Sequence, residues 1–465
     1  MSGGGVDTPV FEALEPRLLM SGDAALLPGD ANGDGTVDGQ DLSALKAYFG
    51  QAGQWGEGDF NADGLVDGQD FSILKAHFGE TLPAVTPEPE TEQQGGGYVA
   101  GAEVAWRTET LEGAPSLVVL GTDGNDAITV SRSGGATVII AEGQTYTLDS
   151  AFAGVRLYGF GGDDLLVSIS GAAEAIWGGA GFDSFWTDSL DSIGDVEAAE
   201  TAAGSVHMVS QFYGPNASME LAGQNLADPY TPWSYKNFSG LPVFADGPEY
   251  DDITQGGLGD CYLLAALSST AQSDPGIIRQ MVAPMGDGTY AVRFYQGGKE
   301  VYLRLDADLP TRGGYVWYAN LTPENELWVA LAEKAYAQFA GGGSYPNISG
   351  GWMTPVYSLV TGQTATATYT SGLSAKALLQ CLTDNLNAGH AVTAGSYSTT
   401  SVPICASHAY VVRSVASIGG QWYVNVYNPW HQDGFNWDSN TADGLLTISL
   451  AMFQQNFSAV CVSLA

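Results

Sequence analysis

Apolar residues in this chain recur in three textures. Near the N-terminus Leu42, Leu45 and Phe49, and again Phe71, Leu74 and Phe78, fall three or four positions apart. That spacing predicts two short amphipathic helices, each with one apolar face. From Tyr98 the pattern changes to short Val/Ile/Leu runs divided by Gly-Asp clusters, which predicts a β-rich region with tight turns. Further on, Cys261-Tyr-Leu-Leu-Ala-Ala-Leu267 is an unbroken apolar run that predicts a buried helix. Asp260 is its candidate N-cap, and Gly256, Gly257 and Gly259 read as a mobile turn before it. His408-Ala-Tyr-Val-Val-Arg-Ser-Val415 predicts a strand, Ser417–Gln421 a turn, and Trp422–Tyr427 the returning strand. If the turn centres near residue 418, His408 and Asn428 face each other across this hairpin, ~5 Å apart at Cβ. No run approaches the ~18 apolar residues of a membrane-spanning helix.

At 465 residues the chain exceeds a single core. Its 52 acidic residues against 15 Lys and Arg give a formal charge of −37. Such a charge repels a phosphate backbone and argues against nucleic acid as a partner. Divalent cations are one way to balance it, and the acids near the N-terminus are spaced for them. Gly29-Asp-Ala-Asn-Gly-Asp-Gly-Thr-Val-Asp-Gly-Gln-Asp41 recurs as Gly58-Asp-Phe-Asn-Ala-Asp-Gly-Leu-Val-Asp-Gly-Gln-Asp70. Asp30, Asn32, Asp34 and Asp41 with the Thr36 carbonyl, and Asp59, Asn61, Asp63 and Asp70 with the Leu65 carbonyl, form two sets of hard oxygen ligands. Their spacing, with a glycine where the loop turns, suits calcium. The pair resembles a type I dockerin: each loop ends on Asp, and no helix enters it. The resemblance implies an EF-hand-like α module over 24–80 that binds a cohesin-like domain through its helix faces.

Before it, Phe11-Glu-Ala-Leu-Glu-Pro-Arg-Leu-Leu-Met-Ser21 resembles the LEPR-type export motif of some large bacterial proteins, making 1–23 a candidate export segment. After it, the prolines, acids and glycines of 81–97 read as a flexible linker. Within 98–198 three clusters share one layout: Gly121-Thr-Asp-Gly-Asn-Asp126, Gly159-Phe-Gly-Gly-Asp163-Asp164 and Gly178-Gly-Ala-Gly-Phe-Asp183. They resemble the nonapeptide of RTX β-rolls, which implies calcium in the turns. A β-rich spacer with ordinary Gly-Asp turns is the other reading.

The four cysteines include no CxxC pair, and for any one of them the ordinary role is a small buried hydrophobe. Cys261 differs, because the positive end of a helix dipole in its first turn is expected to lower the thiol pKa. A thiolate needs a base, and His408, opening its own strand, suits that role best. Asn428, beside Pro429 at a strand end, is placed to hold the imidazole tautomer in a Cys-His-Asn triad. The Gln255 amide and the Cys261 N–H are candidates for an oxyanion hole.

Gln255-Gly-Gly-Leu-Gly-Asp-Cys261, Ser407-His-Ala-Tyr410 and Tyr427-Asn-Pro-Trp430 resemble the active-site blocks of the calpain family. Pro242-Val-Phe-Ala-Asp-Gly247, Leu305-Asp-Ala-Asp-Leu-Pro310 and Asn325-Glu-Leu-Trp-Val-Ala-Leu-Ala-Glu-Lys-Ala-Tyr-Ala337 match in the same order. The resemblance implies a multidomain chain whose 199–465, with its core from about 225, is an α+β papain-like protease. It further implies a calcium-dependent cysteine endopeptidase acting on proteins, with core calcium held by Asp252 and Glu326. A second calcium site would involve Asp433 and Asp438, and Trp430 would shield the Asn–His bond. Ser407 stands where the family has glycine, and Tyr262 where Trp is common. Two other functions compete: a transglutaminase-like acyltransferase, and a non-catalytic calcium-dependent adhesion or scaffold protein. The dockerin-like loops imply an extracellular or surface-associated setting, where millimolar calcium fills weak sites.

Overall fold

The computed structural model describes residues 31, 37, 39–51, 58–61, 65–78, 96–98, 104–111, 114–133, 135–141, 144–148, 152–219, 221, 225–245, 247–321, 325–433 and 440–464. It divides into two compact units, Met1–Gln93 and Gln94–Ala465.

In the first unit, helices Gly39–Tyr48 and Gly68–His77 follow the two acidic loops. Asp41 and Asp70 are fully buried, and each reaches back ten residues to accept the backbone N–H of Ala31 and of Phe60 at 2.9 Å. The same bond recurs in both copies and ties the loop's start to its end. Leu45 and Leu74 form the core with Ala31, Val37, Phe60 and Val66. The single apolar face read from the spacing is divided. Phe49, Phe71 and Phe78 are 52 %, 42 % and 53 % exposed, whereas Leu42 and Ile73 pack at the margin of the core.

The second unit opens with a two-layered roll. Strands Ala114–Leu120, Gly154–Gly161, Glu174–Ala180 and Ser192–Ile193 run parallel in one sheet. Ala127–Ser133, Leu165–Ser168, Ser184–Thr187 and Val206–Met208 run parallel in the other. Successive strands alternate between layers, so each pair of strands makes one coil around a core that includes Val119, Ile128, Leu157, Leu166, Ile176 and Phe185. Carboxylates join the coils at one edge. Asp164 accepts the Asp126 N–H at 2.9 Å, Asp183 that of Asp164 at 3.0 Å, and Glu200 that of Asp183 at 2.7 Å. A Cβ on Gly159 or Gly178 would fall 2.0 Å from the Asp164 or Asp183 carboxylate, so only glycine leaves space for these rungs.

The remainder has two halves. In the first, helices Cys261–Ser273, Trp328–Phe339 and Met353–Thr361 pack with the antiparallel strands Val282–Pro284, Thr289–Gln296 and Lys299–Asp306. The second is an antiparallel sheet in the order Ala365–Tyr369, Phe457–Ser463, Val392–Ser396, Ala409–Ile418, Gln421–Tyr427, Leu445–Ser449. Helices Ala375–Asn387 and Leu450–Asn456 cover it. The roll joins the first half through an apolar cluster that includes Trp186, Phe212, Met285 and Tyr302. Beside that cluster the buried His207 ring meets Gln280 at 2.9 Å and Glu300 at 3.2 Å.

Helix Trp328–Phe339 is buried from Trp328 to Ala337, Lys334 included. The Lys334 ammonium is matched by Asp228 at 2.5 Å and Asp306 at 2.7 Å, and by the Asp306 and Asp308 carbonyls at 3.0 and 2.8 Å. Removing one partner of a buried charge group leaves the others unpaired. Lys334→Met is therefore expected to lower stability by about 3–5 kcal/mol, read as a drop in the urea midpoint of tryptophan fluorescence.

Candidate active site

Helix Cys261–Ser273 has buried side chains from Tyr262 to Ala271, while Cys261 at its start remains partly exposed. The glycines before it serve close approach and are not a mobile turn. A Cβ on Gly256 would lie 2.0 Å from the Tyr318 carbonyl, and one on Gly257 2.4 Å from the Trp317 ring. Asp260 occupies the N-cap position, but its side chain caps no helix N–H and turns inward. The thiol also departs from the helix-dipole expectation. Burial pushes the Cys261 pKa up and the adjacent Asp260 carboxylate adds to this, while a hydrogen bond from the Ala409 N–H opposes them.

His408 lies just before strand Ala409–Ile418. The hairpin turns at Gly419-Gly420, whose φ of 60° and 82° place both in the left-handed region. A register shift between Val412 and Ser414 then sets Val411 opposite Tyr427. Asn428 is thus a diagonal neighbour of His408, not its direct partner, yet His408 Nε2 and Asn428 Oδ1 are 2.8 Å apart. Asn428 Nδ2 donates to the Gln432 carbonyl at 2.8 Å, and Oδ1 also accepts the Trp430 N–H at 3.1 Å. This assigns Oδ1 to the ring, so Nε2 carries the proton and Nδ1 keeps its lone pair. Trp430 covers the imidazole with ring centroids 4.5 Å apart, and Tyr410 meets it edge-on at 5.1 Å. Burial lowers the His408 pKa to about 4, partly opposed by the Asn428 bond. Ser407, at φ 51°, sits in the backbone region that favours glycine.

Gln255 is buried, and its N–H donates to the Pro429 carbonyl at 2.7 Å, stitching the cysteine loop to the asparagine loop. Its side-chain amide donates to the Leu258 carbonyl at 2.7 Å and to Asp260 Oδ1 at 3.4 Å. Both donors are therefore drawn into the loop and away from the position read for an oxyanion. A bound substrate has to compete for one of them.

Asp252 and Glu326, distant in sequence, come together. Glu249 N–H and Trp328 Nε1 donate to Asp252 at 2.7 and 2.9 Å, and Ala245 N–H donates to Glu326. Burial and the facing Glu326 carboxyl raise the Asp252 pKa to about 7. Two buried carboxyls in contact suit a hard cation, which would let both ionise. Asp433 is fully buried, while Asp438 lies outside the described residues. Of the N-terminal ligand set, Asp41, Asp59 and Asp70 are buried and Asn61 and Leu65 exposed; Asp30, Asn32, Asp34, Thr36 and Asp63 lie outside the described residues. The Lys334 cluster and a carboxyl pair formed by Asp260 and Glu333 escaped sequence reasoning. The only signal was a Glu-Lys pair inside an apolar helical run.

Comparison with known proteins gives two family matches: the calpain family cysteine protease over residues 232–447, and the dockerin type I domain over 28–83. Human calpain-8 is 29 % identical over 255 residues, covering 46 % of this chain and 35 % of its own length. Calpain-A of Drosophila melanogaster is 33 % identical over 178 residues, 36 % of this chain and 21 % of its own. The calpain-2 catalytic subunit of Gallus gallus is 31 % identical over 209 residues, 40 % and 29 %. The chain thus spans about a third or less of each of these relatives.

The depressed His408 pKa has a consequence for stability. As pH falls below about 6.5 an unfolded imidazole takes up a proton, while the folded ring stays neutral until about 4. Its contribution is complete above pH 6.5 and lost as pH falls toward 4, a swing of about 3 kcal/mol. Compared with His408→Gln, the natural protein should lose stability across that window and keep a constant difference above it.

Proposed function

We propose, from the match of residues 232–447 to the calpain family cysteine protease and of residues 28–83 to the dockerin type I domain, that this chain is a calcium-dependent cysteine endopeptidase that cuts proteins while tethered to a cohesin-bearing partner. The observation that carries the triad is the 2.8 Å His408–Asn428 bond beneath Trp430, next to a strand whose Ala409 N–H meets the Cys261 thiol.

In this reading substrate binding brings the scissile carbonyl onto Cys261. His408 Nδ1 takes the thiol proton as the C–S bond forms and hands it to the leaving amine as the C–N bond breaks. Water then hydrolyses the thioester by the reverse proton path. Asn428 keeps Nε2 protonated so that Nδ1 remains the acceptor. The Cys261 N–H and a released Gln255 amide hold the oxyanion.

Calcium, when bound by Asp252 and Glu326, supplies the charge that lets both carboxyls ionise together. The loops closed by Asp41 and Asp70 would hold two more ions, leaving the exposed Phe49, Phe71 and Phe78 free for the cohesin-like partner. The roll, with Asp126, Asp164 and Asp183 at one edge, is read as an RTX-like module. An exported, surface-associated or extracellular setting follows from the dockerin.

Cys261→Ala and His408→Ala are each expected to lower casein hydrolysis by about 10⁶-fold, and Asn428→Ala to lower it less. Full activity in Cys261→Ala would sink the assignment. Transfer of an added amine in preference to hydrolysis would point to an acyltransferase, and no thiol-dependent turnover at all to a scaffold protein.

Asp252→Asn and Glu326→Gln should raise the calcium concentration for half-maximal casein hydrolysis at least tenfold, without altering calcium-dependent capture of a cohesin by residues 24–80. Activity that is insensitive to chelator would overturn the core-site reading, and cohesin capture that is insensitive to chelator would overturn the dockerin-loop reading.

A further inference from the structure

Beneath the thiol lies a carboxyl pair that the scheme above does not use. Asp260 and Glu333 are 0 % and 2 % exposed, and their carboxyl groups lie within hydrogen-bond reach of each other. Both Glu333 oxygens stand 3.1 Å from the Ala319 N–H. Asp260 Oδ1 accepts the Gln255 amide at 3.4 Å, while Oδ2 finds no donor among the described residues. The titratable groups facing the pair are Cys261, Tyr262, Tyr318, Tyr336 and Tyr345, none of them a cation. Two ionised carboxylates in such a place would be strongly disfavoured, so one proton must lie between them, leaving a single negative charge.

The pair also spans the loop that carries the chemistry. Gln255 pairs with Ala319 in a short antiparallel ladder, and Glu333 takes the Ala319 N–H. The other end of the loop is Asp260, the residue before the nucleophile. Glu333 thus holds the loop at its strand end through Ala319 and at its helix end through Asp260.

We propose that Glu333 is a positioning residue of the protease site: with Asp260 it forms a proton-sharing carboxyl pair that anchors both ends of the Gln255–Cys261 loop and keeps one negative charge against the Cys261 thiol. The inference rests on the protease reading, but its consequence for the thiol is measurable without turnover. Asp260→Asn takes the carboxylate away from beside the thiol, Glu333→Gln keeps a donor to Asp260 and an acceptor for Ala319, and Glu333→Ala removes both anchors.

The test is the pH profile of Cys261 alkylation by iodoacetamide in the full-length protein, read by mass spectrometry of the peptide containing Cys261, beside kcat and KM on casein. Asp260→Asn should move the alkylation midpoint down by about one pH unit. Glu333→Ala should lower kcat more than tenfold with KM little changed, and Glu333→Gln should recover most of that loss. An unshifted midpoint in Asp260→Asn, or Glu333→Gln as damaging as Glu333→Ala, overturns the proposal. If Glu333→Ala does not fold, Asp260→Asn and Glu333→Gln decide it alone. A natural protein that leaves casein intact refutes the protease reading, while the alkylation profile still tests the charge beside the thiol.

Discussion

From Tyr262 to Ala271 helix Cys261–Ser273 has no wet face, so it must be enclosed on every side. The half that carries this helix supplies part of the enclosure, and strands Ala409–Ile418 and Val392–Ser396 the rest. Its own hydroxyls are satisfied on the way: Ser268 donates to the Tyr250 carbonyl at 2.6 Å, and Ser269 bonds Tyr357 at 2.6 Å. Burying a helix between two halves leaves its first residue where they meet. Cys261 is there because of this packing, and the residue after His408 reaches its sulfur for the same reason. The raised thiol pKa and the depressed imidazole pKa both follow from that one enclosure.

A chain carrying 52 acids and 15 Lys and Arg cannot neutralise its carboxylates by pairing alone. Where a cation is available it is used fully, as Lys334 is by Asp228 and Asp306. Elsewhere the acids accept backbone N–H groups, as in the rungs from Asp164 to Glu200, or face another carboxyl, as at Asp252–Glu326 and Asp260–Glu333. Each arrangement answers the same problem, an acid removed from water. They differ in response: the cation-paired group is inert, whereas facing carboxyls are sensitive to protons and to metal ions.

Much of the site was legible because local patterns carry it. The apolar run after Cys261, the strand opened by His408 and the Pro after Asn428 each announce a backbone state, and the His408–Asn428 contact follows from them. Its register does not, because the extra residue at the Val412–Ser414 shift has no distinctive side-chain signature, and the turn fell one to two residues beyond the centre read for it. Gly256 and Gly257 misled in another way: glycine permits both motion and close approach, and only the Tyr318 carbonyl and the Trp317 ring tell which applies. The sign of the Cys261 shift was likewise hidden, since a helix dipole is local whereas burial belongs to the tertiary fold. Asp260–Glu333 joins residues remote in sequence, so no window along the chain contains it.

The rungs of the roll are separated by 38, 19 and 17 residues, yet each is the same carboxylate-to-amide bond. The longest interval holds the antiparallel pair Ala136–Ala141 and Gln144–Leu148 as an excursion from one coil. Register here is set by a carboxylate at each corner, lying over a glycine at Gly159 and Gly178, and not by a fixed repeat length. Such a scaffold tolerates insertions between corners, and a lineage can lengthen or decorate a coil without disturbing its neighbours.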